Sequence, residues 1–481
     1  MTKPVIPTPE TSPYSLPLTH EEFRVALARG WGRAWLHVDR HGGAGLHDIL
    51  LHALLNCQTY DPQIEGDRSG WLMAITDLAG AGDSVYSEFI SSVHELPVCE
   101  NQWQFRSHTV QRATVLGLLA KRGFAGARGA LERLFLDNCV ASGDDIIGGL
   151  DIIELDGEQG LVQVASVLGH RAHEAGVADV VDWFLSVFDE DREEGAGLRV
   201  LEAARGSDPG VEWFLRIREA AWARIEAAER QAEAVQGGAA AGPFGPEYEV
   251  LPRLVKGLNV EQVLDWIRNA PPKPQSLESV QEGRFWLQGW GSAATEPDLD
   301  RVLLALEQTE DSLQHRRLLC VFGQRPMPRL PEKVLVLAET GERPVRARAY
   351  VALSHLADPR VRDLATRCMS AEQFEAGSLR LWRSSFQRGD HRTIEEGLVL
   401  SDDVESLHMV LFHLVDVCVH GGRPECVPLM LLVCAHSPCS TCRGQVVECM
   451  VKLGVAPDWL LAEARFDASE FTRELLGGPK W

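Results

Sequence analysis

From residue 18 onward the chain repeats one pattern: a short stretch with apolar residues three or four apart, then a break at glycine, proline or aspartate. That spacing gathers the apolar side chains on one face of a helix. In "HTVQRATVLGLLAKRG" (108–123), Val110, Ala113, Leu116, Leu119 and Ala120 are expected on one face, and Gly123 ends the segment. "LTHEEF" supplies a helix start, with Thr19 and Glu22 spaced as a capping box and Leu18 placed to pack inward before them. Period-two alternation between turn dipeptides is nearly absent, so little or no sheet is expected. The chain is thereby confined to an all-α fold whose helices must bury their stripes against one another. With 481 residues it exceeds one compact core and calls for about three domains or an elongated array.

The second half carries an internal period. "LQHRRLLCVFGQRPMPRLPEKVLVLAE" and "ERPVRARAYVALSHLADPRVRDLATRC" align with Arg316 over Arg346, 30 residues apart, and Arg443 and Arg473 repeat the interval. A fixed period of this size with a break in the middle predicts helix-turn-helix units that bury their stripes only against neighbouring units, an α-solenoid. "DPRVRDLA" (358–365) and "DASEFTREL" (467–475) resemble the inter-helix turn and second-helix start of HEAT-type repeats, where an aspartate caps and an arginine follows. "NCQTYDPQIEGDRSGWL" (56–72) resembles a segment of uncharacterised bacterial HEAT-like proteins. The resemblance implies an α-solenoid of HEAT-like helical hairpins and assigns no activity.

Composition shifts divide the chain. Residues 1–18, rich in Pro, Thr and Ser, form a flexible tail in this reading; 19–236 form an N-terminal helical domain of atypical repeats; the Gly/Ala/Pro-rich 237–250 is a linker; 251–481 form a C-terminal HEAT-like repeat domain.

The balance of 47 basic against 69 acidic residues, −22 overall, argues against a nucleic-acid coat, which draws its affinity from neutralising phosphates. It suits a protein partner with a basic patch instead. Arginine far outnumbers lysine; coding bias is the first explanation, and fork-like pairing with carboxylates and carbonyls the second. The start lacks the basic and apolar regions of a secretion signal, and "MVLFHLVDVCV" (409–419), interrupted by His413 and Asp416, is too short to span a bilayer. With eleven cysteines in no regular framework, a cytoplasmic protein without membrane contact is expected.

Three groups of residues invite chemistry. "CAHSPCSTCR" (434–443) holds Cys434, His436, Cys439 and Cys442, donors of the kind zinc takes in a tetrahedron. Yet Cys434 continues a stripe with Val427, Met430 and Leu431, and Cys442 opens another with Val446, Cys449, Met450 and Leu453, so a reduced cysteine-rich helix seam is the main expectation. His20-Glu21, His94-Glu95 and His173-Glu174 resemble the His-Glu iron ligands of the HEAT-repeat deoxyhypusine hydroxylases, which use four such pairs; with the fourth absent, solvated surface pairs are expected. In 56–72, Tyr60, Asp61, Gln63, Glu65, Asp67 and Arg68 crowd more polar function into one connector than a turn needs, and they form the candidate partner-binding surface. A structured turn, with Asp61-Pro62 starting it and Gly66 at positive φ, is the alternative. "WGRAW" (31–35) and "FWLQGW" (285–290) hold tryptophans that either anchor a partner or fill helix seams.

No nucleophile elbow, HExxH, P-loop or dinucleotide fingerprint occurs, and no catalytic residue is assigned. The expectation is a cytoplasmic, non-enzymatic α-solenoid scaffold that binds a protein partner and needs no cofactor. A zinc-stapled or iron-dependent HEAT-like protein is the first alternative. A HEAT-like nucleic-acid-processing enzyme of the glycosylase kind is the second, and the negative charge weighs against it.

Overall fold

The computed structural model describes residues 7–95, 99, 101–139, 146–236, 258–269, 284–370 and 374–481. Among the described residues the chain is all-α: helices follow one another without a strand, and the sole bridge pairs Thr8 with Thr11. The chain divides into two compact units. One joins Tyr14–Ala239 to Ala462–Trp481; the other joins Met1–Pro13 to Ala240–Leu461. Residues 462–481, grouped by sequence with the C-terminal domain, thus pack with the N-terminal helices. The expected linker at 237–250 lies outside the described residues.

In the first unit, helix His20–Ala28 opens on the expected capping box: the Thr19 hydroxyl accepts from Glu22 N, while the Glu22 carboxylate accepts from Thr19 N at 2.8 Å. Leu18 is buried ahead of it. Helix Gln102–Lys121 buries Ala113, Val115, Leu116 and Leu119, and Gly123 turns the chain at φ 79°. Val110 departs from the expected stripe; it stays 39% exposed on the open side of the helix. Helices Glu158–Ala175 and Pro209–Gln236 approach closely through paired glycines, since a Cβ at Gly169 would lie 1.9 Å from the Gly210 carbonyl oxygen.

The C-terminal segment completes this unit. Arg33 Nε donates to Glu463 Oε1 at 2.7 Å, with only 10% and 5% of the two side chains exposed. Trp71 Nε1 donates to the Phe466 carbonyl at 3.0 Å, and Ala468 N to the Gly30 carbonyl at 2.9 Å. The Trp35 ring stacks on Phe466 and meets Trp481. Tyr14 lies against the Arg33 guanidinium, and burial, with Glu463 nearby, pushes its hydroxyl pKa upward.

In the second unit, helices close to one another in sequence pack together. Glu332–Thr340 lies on Arg343–Leu353, and Val404–Gly421 lies on Ala376–Leu381, Val427–His436 and Ser440–Leu453. Thr295, Asp311, Asp358 and Asp403 each cap a helix by accepting backbone N–H groups. Among the described residues one helix, Val404–Gly421, is long and apolar enough to cross a membrane by length and composition alone. It is longer than the 409–419 stretch singled out in the sequence. One side of it is buried through Leu407, Leu411, Leu414 and Cys418, and its Asp416 carboxylate meets Arg383 at 3.4 Å.

Within each unit, arginines tie helices together in the same manner. The last carbonyls of a helix lack partners within it. Arg68 donates to Ala28 O, Arg171 to Cys139 O, Arg317 to Ile267 O and Arg325 to Ala294 O, each acceptor at or near a helix C-terminus. Arg346, Arg443 and Arg473 each reach back five or six residues, to Gly341 O, to Ser437 O, and to Asp467 O and Ala468 O respectively. The arginine excess therefore has a structural use that the sequence reading ranked second. Arg346, Arg443 and Arg473, three of the four register positions, do one job.

Replacing Glu463 by Ala strands the buried Arg33 charge. The expected loss is about 3–5 kcal/mol for the Tyr14–Ala239 unit, whereas joint replacement of Arg33 by Met and Glu463 by Leu restores most of it. Calorimetric unfolding of the full chain and of both variants checks this.

Candidate functional site

The turn at 56–68 folds around its own charges. Asp61 caps the single helical turn Pro62–Glu65, accepting from Gln63 N at 3.1 Å, and Gly66 exits at φ 76°. Glu65 folds back to accept from Asp61 N at 2.8 Å and from Arg68 Nη2 at 2.6 Å, and its side chain is wholly buried. Arg68 spends a further donor on Ala28 O. Three of the six candidate residues, Asp61, Glu65 and Arg68, thus hold the turn in shape.

The floor beneath is set by helix Gln102–Lys121. Helix His47–Leu55 ends with carbonyls that need donors, and Gln111 Nε2 serves Ala53 O at 2.8 Å and Leu54 O at 3.0 Å, while Arg112 Nε serves Leu55 O at 2.7 Å. Arg112 Nη1 also donates to Val93 O and Glu95 O. His108 Nδ1 accepts from Cys57 N at 2.8 Å. All three side chains are buried, and burial lowers the pKa of both His108 and Arg112.

Between this floor and the turn lies an open cavity of about 520 Å³, lined in part by Gln63, Asp67, Arg68, Trp103, Arg106 and Gln111. Gln63, Asp67 and Arg68 of the candidate surface reach it; Tyr60, Asp61 and Glu65 stand outside its lining. Trp103 is 44% exposed at its edge, with the Arg106 guanidinium 5.8 Å from the ring centroid. Sequence reading missed Trp103, Arg106 and Gln111, because they lie more than thirty residues downstream on another helix. The Asp67 carboxylate accepts from Ser69 N and Ser69 Oγ at 3.1 and 2.7 Å. Its outer edge faces solvent, while the protein around it raises its pKa through desolvation, against the pull of those hydrogen bonds.

Asp151, on helix Gly149–Asp156, packs against Gly117. Its pKa is raised to about 6, chiefly by burial and further by Glu154 and Asp67.

In the second unit the cysteine-rich stretch separates into parts. Cys434 ends a buried stripe on Val427–His436, and Cys449 is buried on Ser440–Leu453, as the stripe reading expected. Cys418 and Cys426 are fully buried beside one another; hydrogen bonding to Cys426, with burial, pushes the Cys418 thiol pKa well up. Cys439 is the N-cap of Ser440–Leu453, and Cys442 lies in its first turn. Ser437, fully buried, accepts from Cys439 N at 3.2 Å and donates to Cys439 O at 3.1 Å. Arg443 Nη1 donates to Ser437 O.

One group of three ligand-bearing side chains gathers among the described residues: the donor atoms of His408, Cys439 and Cys442 lie within 4.8 Å of one another. Cys442 Sγ and His408 Nε2 are 3.5 Å apart. Cys434 and His436, expected beside Cys439 and Cys442, do not belong to this group. His408 comes from helix Val404–Gly421, and no local spacing pointed to it. His20, His94 and His173 join no such group; the His173 ring stacks on Trp213.

Compared with known proteins, the chain matches no family model, no curated protein and no solved structure.

Asp151 makes stability depend on pH. Between 3.8 and about 6 the folded chain binds more protons at this carboxyl than the unfolded chain, so its stability falls as pH rises through that window, by on the order of 2–3 kcal/mol. Asp151→Asn is expected to raise the melting temperature above pH 6 and to change it little near pH 4, an outcome read by thermal unfolding across pH.

Proposed function

We propose that the chain is a non-enzymatic helical-repeat scaffold of HEAT-like hairpins that docks a protein partner through the cavity between the 56–68 turn and helix Gln102–Lys121. The observation that carries this reading is a preshaped cavity with a carboxylate, Asp67, and a half-exposed tryptophan, Trp103, on its lining. Its wall is held by the Glu65–Arg68 pair and its floor by Gln111 and Arg112, so a partner would meet a surface already in place. The repeat assignment draws support from the shared role of Arg346, Arg443 and Arg473 and from neighbour-on-neighbour helix packing.

The partner in this reading presents a lysine or arginine beside an apolar side chain. The cation would meet Asp67 and the face of Trp103, and the overall charge of −22 would steer it in. A cytoplasmic setting belongs to the same proposal.

The reading is tested by peptide display selected on the full chain. Basic peptides with a neighbouring apolar residue should be enriched, with affinity that weakens with salt. It should rise with pH as Asp67 ionises, because the neutral carboxyl offers no charge to the cation. Trp103→Ala and Asp67→Asn should each weaken binding by about tenfold or more. Selection of the same peptides at equal affinity by both variants sinks the reading.

A further inference from the structure

We propose that His408, Cys439 and Cys442 form a zinc site that staples helix Val404–Gly421 to the start of helix Ser440–Leu453. The donor set is two thiols and an imidazole, the combination that a borderline-soft d¹⁰ cation prefers. Geometry agrees. With Zn–S near 2.3 Å and Zn–N near 2.0–2.1 Å in a tetrahedron, the S···N edge is about 3.5–3.6 Å. Cys442 Sγ and His408 Nε2 are separated by 3.5 Å, and all three donor atoms lie within 4.8 Å.

The surroundings favour an ion over a plain thiol contact. Two thiolates balance the charge of one zinc ion, so the buried complex is neutral and avoids the penalty of an isolated charge. Both sulfurs stand at the N-terminal end of a helix of 14 residues, where the helix dipole favours thiolate over thiol. The Ser437 hydroxyl, bonded to both N and O of Cys439, fixes the backbone that aims the first sulfur.

A dithiol–disulfide switch would use the same Cys-x-x-Cys spacing, but it needs a sulfur that another thiol can reach. Cys439 and Cys442 are only 4% and 3% exposed. Cys418, Cys426 and Cys449 are also buried, yet among the described residues they join no group of three ligand-bearing side chains. Three protein ligands leave the fourth position to water, reached past the half-buried His408.

The experiment strips the reduced full chain of metal and titrates it with cobalt(II), then with zinc. The expected result is a sulfur-to-cobalt charge-transfer band with the visible pattern of tetrahedral cobalt, saturating at about one ion per chain and erased by zinc. His408→Ala and Cys442→Ser should weaken binding by at least about 100-fold, while Cys434→Ser keeps both stoichiometry and spectrum. Zinc should also raise the melting temperature of the parent chain but not that of His408→Ala. Absence of the charge-transfer band in the parent chain, whose fold no substitution has touched, overturns the proposal and leaves a thiol–imidazole hydrogen bond. So does cobalt binding that survives both ligand substitutions, since the ion then sits elsewhere.

Discussion

Short helices present a recurring physical problem: each ends in carbonyls without a partner, and a fold built from many such helices has many ends to satisfy. This chain meets it with long cationic side chains from elsewhere. Arg112 alone serves Leu55, Val93 and Glu95, joining the ends of two helices to a third. Lys333 does likewise for Thr309, at the end of Glu296–Gln308. Such donors bring charge into the interior, where it is tolerated because several carbonyl dipoles converge on one guanidinium. The fork of arginine suits this better than the point charge of lysine.

The same device explains why polar residues in the 56–68 turn divide into two kinds. Glu65 and Arg68 satisfy one another and nearby backbone, so their charge is spent inside the fold. Asp67 keeps an edge toward the cavity, and desolvation has already raised the energy of its ionised form. A cation arriving there relieves that penalty. Rigidity from the first kind is what lets the second present a defined surface.

What the sequence disclosed was local. The capping box at Thr19 and Glu22, the stop at Gly123 and the cysteine-bearing stripes of Val427–His436 and Ser440–Leu453 follow from residues within one or two helical turns, and each stands where the spacing put it. Val110 misled because an apolar residue on a helix says only that burial would favour it, not that a neighbour arrives to cover it. The docking of 462–481 was hidden for a related reason. Its evidence is pairwise, Arg33 with Glu463 and Trp71 with Phe466, across about four hundred residues that carry no common pattern.

Cysteine spacing shows the same limit from the opposite side. In 434–442 the spacing suggested one cluster, but helix geometry sorts its members. Cys434 closes a stripe near the end of its helix, whereas Cys439 and Cys442 sit at the entry of the next helix, the end where the helix dipole is positive, even though Cys442 also opens that helix's stripe. A cysteine in a stripe is rewarded as a small apolar group, and its thiol is held neutral by desolvation. A cysteine at a helix entry lies where negative charge is stabilised. Only the second kind has a reason to recruit a histidine from another helix, and His408 stands 3.5 Å from Cys442. The difference between a cysteine-rich core and a metal centre is therefore set by position along the helix, which spacing in the sequence records only in part.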